Sequence, residues 1–478
     1  MFSSNPALIQ NGTPNSGHLI PMPATKRKAD VEASASSAKR RKCPYLDTVN
    51  HQLLDFDFEK VCSISLSDQN VYACLVCGKY FQGRGRSTHA FTHSVQSSHH
   101  VFINLQTDRI YCLPDNYEVV DNTLKPVQDA LRPSFEEAQI AQLDQNRILA
   151  QDAFGVSYLP GFIGLNNLKH TDYINVVVQA LAHVPPLRDF FLTNKMGKVK
   201  SKLVLRFGEL LRKMWSPHNF KNTISPHELV QEISVSSKKR FHVGTQNESV
   251  ELLAWLLNEL HRGLGGSHKP GSSIIHKCFQ GFVEVTTDDE TKVASADPTV
   301  RESAVSTTDD GAGLAVDAVV QGFSRWKHHS SAFHAKQLLR REEPTIVNFP
   351  VKNLELRDYL KLDQSIPSEE ELGEKSISEL RALLRKHNQS TEDCVEKADV
   401  VDKILRVTLP CTKYNLVANI CHDSPVTTGQ EAALQTNPLT EGSYRVHVQN
   451  RATEQWYEIQ DLHVQETMPQ LIGVSDRT

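Results

Sequence analysis

The stretch Gly164-Leu-Asn-Asn-Leu-Lys-His-Thr-Asp-Tyr-Ile-Asn-Val-Val-Val-Gln179 places one aspartate, Asp172, between a polar segment and an apolar run. Asparagine, lysine and histidine dominate the segment before it, and valine dominates the residues after it. A carboxylate is a weak nucleophile toward an amide carbonyl, and it brings no base of its own. A site built around Asp172 is therefore poorly suited to cutting an amide bond.

This stretch resembles the cysteine box of the ubiquitin-specific proteases. In that family the box is a Gly-Leu turn, a short loop, and then the nucleophilic cysteine at a helix N-terminus, where the helix dipole stabilises the thiolate. Asp172 stands at the position of that cysteine. The positions that carry the resemblance are Gly164, Leu165, Asn167, Leu168, Thr171, Tyr173, Asn175 and Gln179.

A second block resembles the family's Gly-His-Tyr box, whose histidine is the general base. Here it reads Gly442-Ser443-Tyr444, and the serine hydroxyl cannot accept the nucleophile's proton near neutral pH. Gln460 falls where an aspartate usually orients the base, and His170 falls where an asparagine often donates to the oxyanion. The resemblance implies a chain without catalytic residues, with Asp172, Ser443, Gln460 and His170 as the degenerate positions.

Two ways of rescuing catalysis can be imagined from the residues. Asp172 could act as an aspartyl nucleophile, or His422 or His447 could replace the missing base. Loss of nucleophile or base costs about 10⁴- to 10⁶-fold in rate, because the members of such a centre act as a unit. We expect no rescue, since the reacting geometry would have to be rebuilt around a poorer nucleophile.

A Cys/His-dense segment predicts a zinc site. Cys74-Leu-Val-Cys77 is a knuckle whose two sulfurs can reach one ion, and His89, His93 and His99 follow. The alternative is a buried cysteine pair beside surface histidines. The segment resembles the UBP-type zinc finger, and this implies the ligands Cys74, Cys77, His93 and His99.

The same resemblance leaves a second zinc open. His89 matches a ligand of family members that bind additional zinc ions, but Gln82 stands where a cysteine is usual. Cys62 also lacks a second cysteine at knuckle spacing. A structural zinc with four protein ligands has no open position for catalysis, and its expected role is to fold a small domain.

The composition is that of an ordinary water-soluble protein, with 478 residues, 39% hydrophobic and 23% charged. No apolar run is long enough for a membrane span or a signal peptide, so we expect no membrane partner and no secretion. The nine cysteines are odd in number and irregularly spaced, which favours a reducing compartment. Residues 1–42 carry a net charge of +5 within a total of −4, which leaves −9 for the rest.

Residues 1–42 are predicted to form a disordered leader with two basic clusters, which suit the two acidic pockets of a nuclear import receptor. The alternative is a solvated tail that contacts RNA loosely. Both readings indicate the nucleus. The basic residues are Lys26, Arg27, Lys28, Lys39, Arg40, Arg41 and Lys42.

The predicted fold class is α+β, a small zinc-stabilised UBP-type finger followed by a papain-like ubiquitin-specific protease fold. The finger is placed at 43–121, a linker with helical stretches at 122–157, and the inactive protease-like domain at 158–478. Within the last, 287–330 is predicted to be loop or disorder. Residues 376–405 are predicted to be an inserted helical hairpin, which either packs on the domain or resembles SAP-type nucleic-acid-binding modules.

Three features depart from the family pattern. Paired Cys-x-x-Cys knuckles of the ubiquitin-gripping fingers are missing, a strand expected between 285 and 344 is not recognisable, and the chain ends at Thr478 where a last strand is expected. A variant isoform or an error in the gene model could explain the last two. The missing knuckles make ubiquitin binding doubtful.

The combination of basic leader, UBP-type finger and degenerate protease domain resembles the splicing-associated branch of the ubiquitin-specific proteases. This resemblance implies a nuclear, non-catalytic scaffold that supports the spliceosomal tri-snRNP, with snRNP proteins as partners and direct or indirect contact with RNA left open. The alternatives are a non-hydrolytic ubiquitin-binding protein and, third, an active deubiquitinase.

Overall fold

The structure, a computed structural model, describes residues 42–193, 199–280, 349–356, 372, 375–386, 397–408, 413–423 and 442–472. The chain divides into two units, residues 1–44 and 45–478. Only residues 42–44 of the first unit lie in the described ranges, so the predicted leader falls almost wholly outside them, as does 287–330. Among the described helices, none has the length and apolar character needed to cross a bilayer.

The finger is a five-stranded antiparallel sheet with one helix against it, in the strand order β2-β1-β3-β4-β5. Strand β1 is buried at every position, and it ends at Cys74, where the chain turns into the knuckle. Gly78 closes this turn with a φ of +75°, and a Cβ there would lie 2.1 Å from the Leu53 carbonyl oxygen. The elements are β1 Val71–Cys74, β2 Tyr80–Gln82, α1 His89–Ser97, β3 Val101–Asn104, β4 Ile110–Cys112 and β5 Tyr117–Val119.

A connector leads from the finger into a mostly helical layer. One helix of this layer, α4, is buried at every position except Ala180, because its valines and isoleucine cover its whole circumference. Apolar residues recur at helical spacing over 203–214 and 250–260, and these stretches lie on α6 and α8. The elements are α2 Lys125–Leu131, α3 Glu137–Gln142, β6 Ala150–Gln151, β7 Ser157–Tyr158, β8 Gly164–Leu165, α4 Asp172–Ala182, α5 Pro185–Leu192, α6 Lys202–Trp215, β9 Thr223–Ile224, α7 His227–Ser236, α8 Ser249–Gly263 and α9 Ile274–Phe279.

A four-stranded antiparallel sheet, in the order β12-β13-β14-β15, packs against α4 and closes the core. Alternate residues Tyr444, Val446 and Val448 of β13 face that core, as the two-residue period of a strand requires. The elements are β10 Leu354–Glu355, β11 Lys413–Tyr414, β12 Ala418–Asp423, β13 Ser443–Gln449, β14 Trp456–Gln460, β15 His463–Thr467 and the short helix Pro469–Ile472. This mixture of helix and sheet confirms the predicted α+β class.

The region 376–405 contains two helices, α10 Ile377–Lys386 and α11 Lys397–Thr408. Ser376 and Glu379 form a capping box before α10, since the Ser376 N–H donates to the Glu379 carboxylate at 2.9 Å and the Glu379 N–H donates to Ser376 Oγ at 3.4 Å. The helices share a small apolar cluster that is separate from the main core. Its buried members are Leu372, Leu380, Leu384, Val400, Val401 and Ile404.

Candidate functional site

The loop before α4 is held in place by the turn between β14 and β15. The Leu165 N–H donates to the Asp461 carbonyl oxygen at 2.9 Å. Gly164 approaches this turn so closely that a Cβ would lie 2.7 Å from the Leu462 Cα. A glycine is therefore required at 164 by close packing. In the same loop, the Asn167 side chain accepts hydrogen bonds from the Lys169 and Thr171 N–H groups, both at 3.1 Å.

Asp172 is the first residue of α4, and its side chain is buried at 4% exposure. One carboxylate oxygen, Oδ2, accepts from the Tyr444 N–H at 2.9 Å and from Gln246 Nε2 at 3.3 Å. Gln246 also donates to the Gly442 carbonyl oxygen at 3.0 Å. Asp172 thus links the start of α4 to the first residues of β13. It does so at the position where the family's nucleophilic cysteine would stand.

Burial raises the pKa of Asp172 above its ordinary value. The hydrogen bond from the Tyr444 N–H opposes this shift, and the negative charge of Asp461 adds to it. A carboxylate whose charged form is disfavoured, and whose oxygen already accepts two hydrogen bonds, is a poorer nucleophile still.

Of the other degenerate positions, Ser443 and Gln460 lie on the sheet, and His170 lies in the loop before α4. Gln460 Nε2 donates to Ser443 Oγ at 3.1 Å, so the positions of the family's base and its orienting group pair with each other. His170 is exposed and has a φ of +53°, in the left-handed region. The sequence motifs thus bring Asp172, Ser443 and Gln460 together, whereas the His170 side chain is directed to solvent.

The two candidate substitute bases have contacts of their own. Both ring nitrogens of His447 have other partners, Glu458 Oε2 at 3.0 Å from Nε2 and Cys421 Sγ at 3.8 Å from Nδ1. The His422 ring packs on the Tyr444 ring with centroids 4.5 Å apart.

In the finger, the four predicted ligands converge. Their ligand atoms all lie within 4.8 Å of one another, with Cys74 Sγ 3.5 Å from His99 Nδ1 and Cys77 Sγ 3.4 Å from His93 Nε2. Zinc–sulfur and zinc–nitrogen bonds of about 2.3 and 2.0 Å place tetrahedral ligand atoms roughly 3.3–3.8 Å apart, so the donor set fits zinc.

The surroundings of the cluster suit a metal site. The two thiols share a hydrogen bond that lowers the pKa of Cys77 and raises that of Cys74, so without a metal the first proton leaves Cys77. His93 stacks on Phe81 with centroids 4.2 Å apart, and its Nδ1 lies 3.3 Å from Ser97 Oγ. These outer contacts fix the ring orientation. In the described part of the chain this is the one Cys/His group compact enough for a metal, and His89 is not part of it.

Comparisons with known proteins identify both parts of the chain. The family model described as "Ubiquitin carboxyl-terminal hydrolase" matches residues 163–474. The chain belongs to this hydrolase family. A second model, "Zn-finger in ubiquitin-hydrolases and other protein", matches residues 62–124. The predicted order of a UBP-type finger followed by a ubiquitin-specific protease fold is therefore confirmed, as is the prediction of a zinc cofactor.

Similar hydrolase-family proteins cover most of the chain. "Ubiquitin carboxyl-terminal hydrolase 39" of Homo sapiens is 36% identical over 94% of this chain and 81% of its own length. "Probable mRNA-splicing protein ubp10" of Schizosaccharomyces pombe is 36% identical over 90% of this chain and 86% of its own. A solved structure described as "an essential yeast splicing factor" shares the fold, with a TM-score of 0.58, 22% identity, and coverage of 90% of this chain and 96% of that one.

Sequence reasoning missed the role of two residues that hold this hydrolase site together, Gln246 and Asp461. Gln246 lies just before α8, and nothing in the sequence shows that it reaches Asp172 and Gly442. Asp461 accepts from Asn175 Nδ2 at 2.8 Å and from Asn167 Nδ2 at 3.0 Å, so it fixes the loop and the helix at once. Both asparagines are among the positions that carry the family resemblance. The signal available in the sequence was that their side-chain amides need an acceptor, which an acidic residue can supply.

Replacing Asp172 tests the hydrogen bonds that its carboxylate accepts from Tyr444 and Gln246. Asp172→Ala leaves the buried Tyr444 N–H without an acceptor, and we expect it to lower the free energy of unfolding by about 1–3 kcal/mol. Asp172→Asn keeps an acceptor oxygen and should stay within about 1 kcal/mol of wild type. Urea denaturation followed by tryptophan fluorescence measures both, and equal losses in the two variants would contradict the bonding described.

Wild type and Asp172→Asn should also differ in how their free energies of unfolding depend on pH. Because the folded pKa of Asp172 is raised, the folded protein binds its proton more tightly than the unfolded chain does. Wild type should therefore lose stability relative to Asp172→Asn as the pH rises from about 3.8 through the raised pKa. Parallel denaturation curves over this range give the difference.

Proposed function

We propose that this chain is a non-hydrolytic scaffold in pre-mRNA splicing, which supports the assembly or stability of the spliceosomal tri-snRNP. The observation that carries the non-hydrolytic part is the Asp172 carboxylate, hydrogen-bonded to the Tyr444 N–H where the family's cysteine would stand. Ser443, paired with Gln460, supplies no base.

The printed names of similar proteins support the splicing part. Besides the Schizosaccharomyces pombe relative, "Pre-mRNA-splicing factor SAD1" of Saccharomyces cerevisiae is 32% identical over 54% of this chain. We infer that the partners are snRNP proteins and that the protein acts in the nucleus. Import through the basic leader uses Lys26, Arg27, Lys28, Lys39, Arg40, Arg41 and Lys42.

We further propose Cys74, Cys77, His93 and His99 as the zinc ligands. The resulting site is structural, because four protein ligands fill a tetrahedral zinc. Its contribution to the scaffold is a finger of fixed shape.

A hydrolysis assay tests the absence of catalysis. With a fluorogenic ubiquitin amide, we expect the wild-type rate to be indistinguishable from that of Asp172→Asn, which retains the fold but removes the carboxylate nucleophile. Turnover by wild type that disappears in Asp172→Asn would overturn the non-hydrolytic proposal. The positive control is an active hydrolase of the same family.

An affinity purification tests the splicing role. The tagged full chain, recovered from nuclear extract, should bring down small nuclear RNAs together with snRNP proteins. Their absence would defeat the proposal.

A non-hydrolytic ubiquitin-binding protein is the second candidate, favoured by the finger and hydrolase fold that this chain retains. Saturable ubiquitin binding at micromolar concentration, without snRNP recovery, would support that candidate instead.

A further inference from the structure

The four-stranded sheet carries a set of polar side chains on the face that points away from the core. Val446 of β13 faces the core, so its neighbours Arg445 and His447 point to the opposite face. The strand register places Cys421 of β12 opposite Arg445, and Glu458 of β14 opposite His447. The sheet therefore brings a thiol, an imidazole and a carboxylate together on three adjacent strands.

The three side chains contact one another in order. His447 Nε2 lies 3.0 Å from Glu458 Oε2, and His447 Nδ1 lies 3.8 Å from Cys421 Sγ. In the neutral ring the nitrogen beside the carboxylate carries the hydrogen, so Nε2 donates to Glu458 and Nδ1 is left to accept from the thiol. The order of nucleophile, base and orienting carboxylate is that of an activated nucleophile. We call Cys421, His447 and Glu458 the sheet triad.

The base of the sheet triad is fixed in one orientation. His447 is buried at 3% exposure, and both of its ring nitrogens have partners. Glu458 is itself held, because its Oε1 accepts from Gln465 Nε2 of β15 at 2.8 Å. A base that is already aimed at its thiol needs no reorganisation before it accepts a proton.

Two donors adjoin the Cys421 sulfur. Asn419 Nδ2 lies 3.2 Å from Sγ, and the Arg445 guanidinium is close enough to lower the pKa of the thiol, although it is also paired with Asp423 at 3.4 Å. Arg445 Nε is buried and has no hydrogen-bond partner in the described part of the chain. Such donors stabilise the negative charge that develops on a sulfur as it loses its proton.

At rest, the thiol and the imidazole are both neutral. Burial raises the pKa of Cys421, and the charge of Asp423 adds to this effect, whereas Arg445 opposes it. Burial also lowers the pKa of His447, against the opposing effect of Glu458. Cys421 therefore keeps its proton near neutral pH, and the neutral His447 can accept that proton as the sulfur forms a new bond.

We propose that Cys421 is a base-assisted thiol that undergoes exchange with small-molecule disulfides, with His447 as the base and Glu458 as the residue that orients it. Cys421 is partly exposed, as access by such a reagent requires. This activity goes beyond the splicing role and does not depend on it.

The exchange moves one proton and one pair of electrons. The Cys421 proton passes to His447 Nδ1, and the Cys421 sulfur attacks one sulfur of the reagent. A mixed disulfide forms at Cys421, the S–S bond of the reagent breaks, and the departing thiolate takes the proton from the imidazolium. Cys421 is oxidised and the departing half of the reagent is reduced. Excess free thiol reverses the exchange, so the adduct is a reversible modification.

Exchange with oxidised glutathione tests the sheet triad in the full-length, zinc-bound protein. Peptide mass spectrometry follows the mixed disulfide at Cys421 and, in the same samples, at Cys278. Cys278 is the matched control, because it is also partly exposed and burial raises its pKa too, but its sulfur has no imidazole partner among the described residues. Near neutral pH, Cys421 should react at least about tenfold faster than Cys278, since general base catalysis contributes about 10²- to 10⁴-fold.

Two variants assign the roles. His447→Gln removes the base and keeps a donor for Glu458, so the rate at Cys421 should fall about tenfold or more while the rate at Cys278 stays the same. Cys421→Ser should form no adduct at that position and leave Cys278 unaffected. Circular dichroism shows whether each variant is folded.

The pH dependence of wild type gives a readout that needs no variant. A plain thiol reacts about tenfold faster for each pH unit below its pKa, because its thiolate fraction rises. With a neutral base in place, the rate at Cys421 should change by less than about twofold between about pH 7 and about pH 8.5, while the rate at Cys278 rises.

Each result decides the proposal. A rate at Cys421 no higher than at Cys278, an unchanged rate in folded His447→Gln, or the same pH slope at both thiols would overturn it. If His447→Gln does not fold, the pH profile of wild type decides alone.

Discussion

Replacing Cys74 by serine should release one equivalent of zinc and unfold the finger. Six buried residues form the cluster beside the metal site, and Cys74 is one of them. Zinc binding to a finger contributes about 10–16 kcal/mol of apparent free energy at neutral pH, which is as large as the whole net stability of a typical domain, so its loss should unfold the region around this cluster. A chromogenic chelator measures the released metal, and limited proteolysis within 62–124 measures the unfolding.

Two variants in the same finger serve as controls. His89→Ala removes a histidine from the first turn of α1 that lies outside the four-ligand group, and Cys112→Ala removes a buried cysteine of β4. Both should retain one equivalent of zinc. Release of metal by His89→Ala would reveal a second site, and full retention by Cys74→Ser would refute the ligand assignment.

The Cys74–Cys77 knuckle could be predicted from the sequence because its geometry is local, whereas the choice of His93 and His99 over His89 came from the resemblance to the UBP-type zinc finger. The knuckle fixes Cys74 and Cys77 relative to each other, and His93 and His99 follow on one helix and the turn after it. The catalytic-site positions were also predictable, although 272 residues separate Asp172 from Tyr444, because both lie in recognisable family blocks.

The supporting contacts could not be predicted in this way. The Asp461 side chain binds Asn175, whereas the side chain of its neighbour Gln460 binds Ser443. The two side chains take these different directions because Asp461 is in the left-handed region, with a φ of +51°. A shift of one residue on a strand reverses the face of the side chain, and no motif fixes that shift.

Several predictions fall outside what the structure tests. The domain limits 43–121, 122–157 and 158–478 stay predictions, and the basic leader and the segment 287–330 lie beyond the described residues. The segment 285–344, in which a further strand was expected, lies wholly outside the described residues.

Removing Asp57 should destabilise the whole two-domain body by about 3–5 kcal/mol, because it leaves a buried charge without its partner. Asp57 lies before the finger sheet, and its Oδ1 is 2.7 Å from Lys213 Nζ on α6, with side chains 16% and 11% exposed. Its Oδ2 also accepts from the Ser225 N–H at 3.0 Å. Burial lowers the pKa of Lys213, but Asp57 together with the negative charges of Glu228 and Glu209 outweighs this effect, so the pKa of the lysine is raised.

A double-mutant cycle isolates this pair. Asp57→Ala leaves Lys213 with the Phe56 carbonyl oxygen, 2.8 Å from Nζ, as its remaining partner, so the free energy of unfolding should fall sharply in urea denaturation. Asp57→Ala/Lys213→Met removes the stranded charge and should be more stable than Asp57→Ala alone. Glu251→Ala, which breaks the exposed pair with Arg240, should change the free energy by less than about 0.5 kcal/mol.

The cycle also decides whether the finger and the hydrolase domain behave as one body. If they do, Asp57→Ala shifts a single unfolding transition, because the lost contact supports both parts. If the finger unfolds separately, the variant should split the transition, and zinc release should precede the change in fluorescence of Trp215, which lies two residues from Lys213. A double variant no more stable than Asp57→Ala would mean that the buried charge is solvated by other means, and that this ion pair does not hold the two parts together.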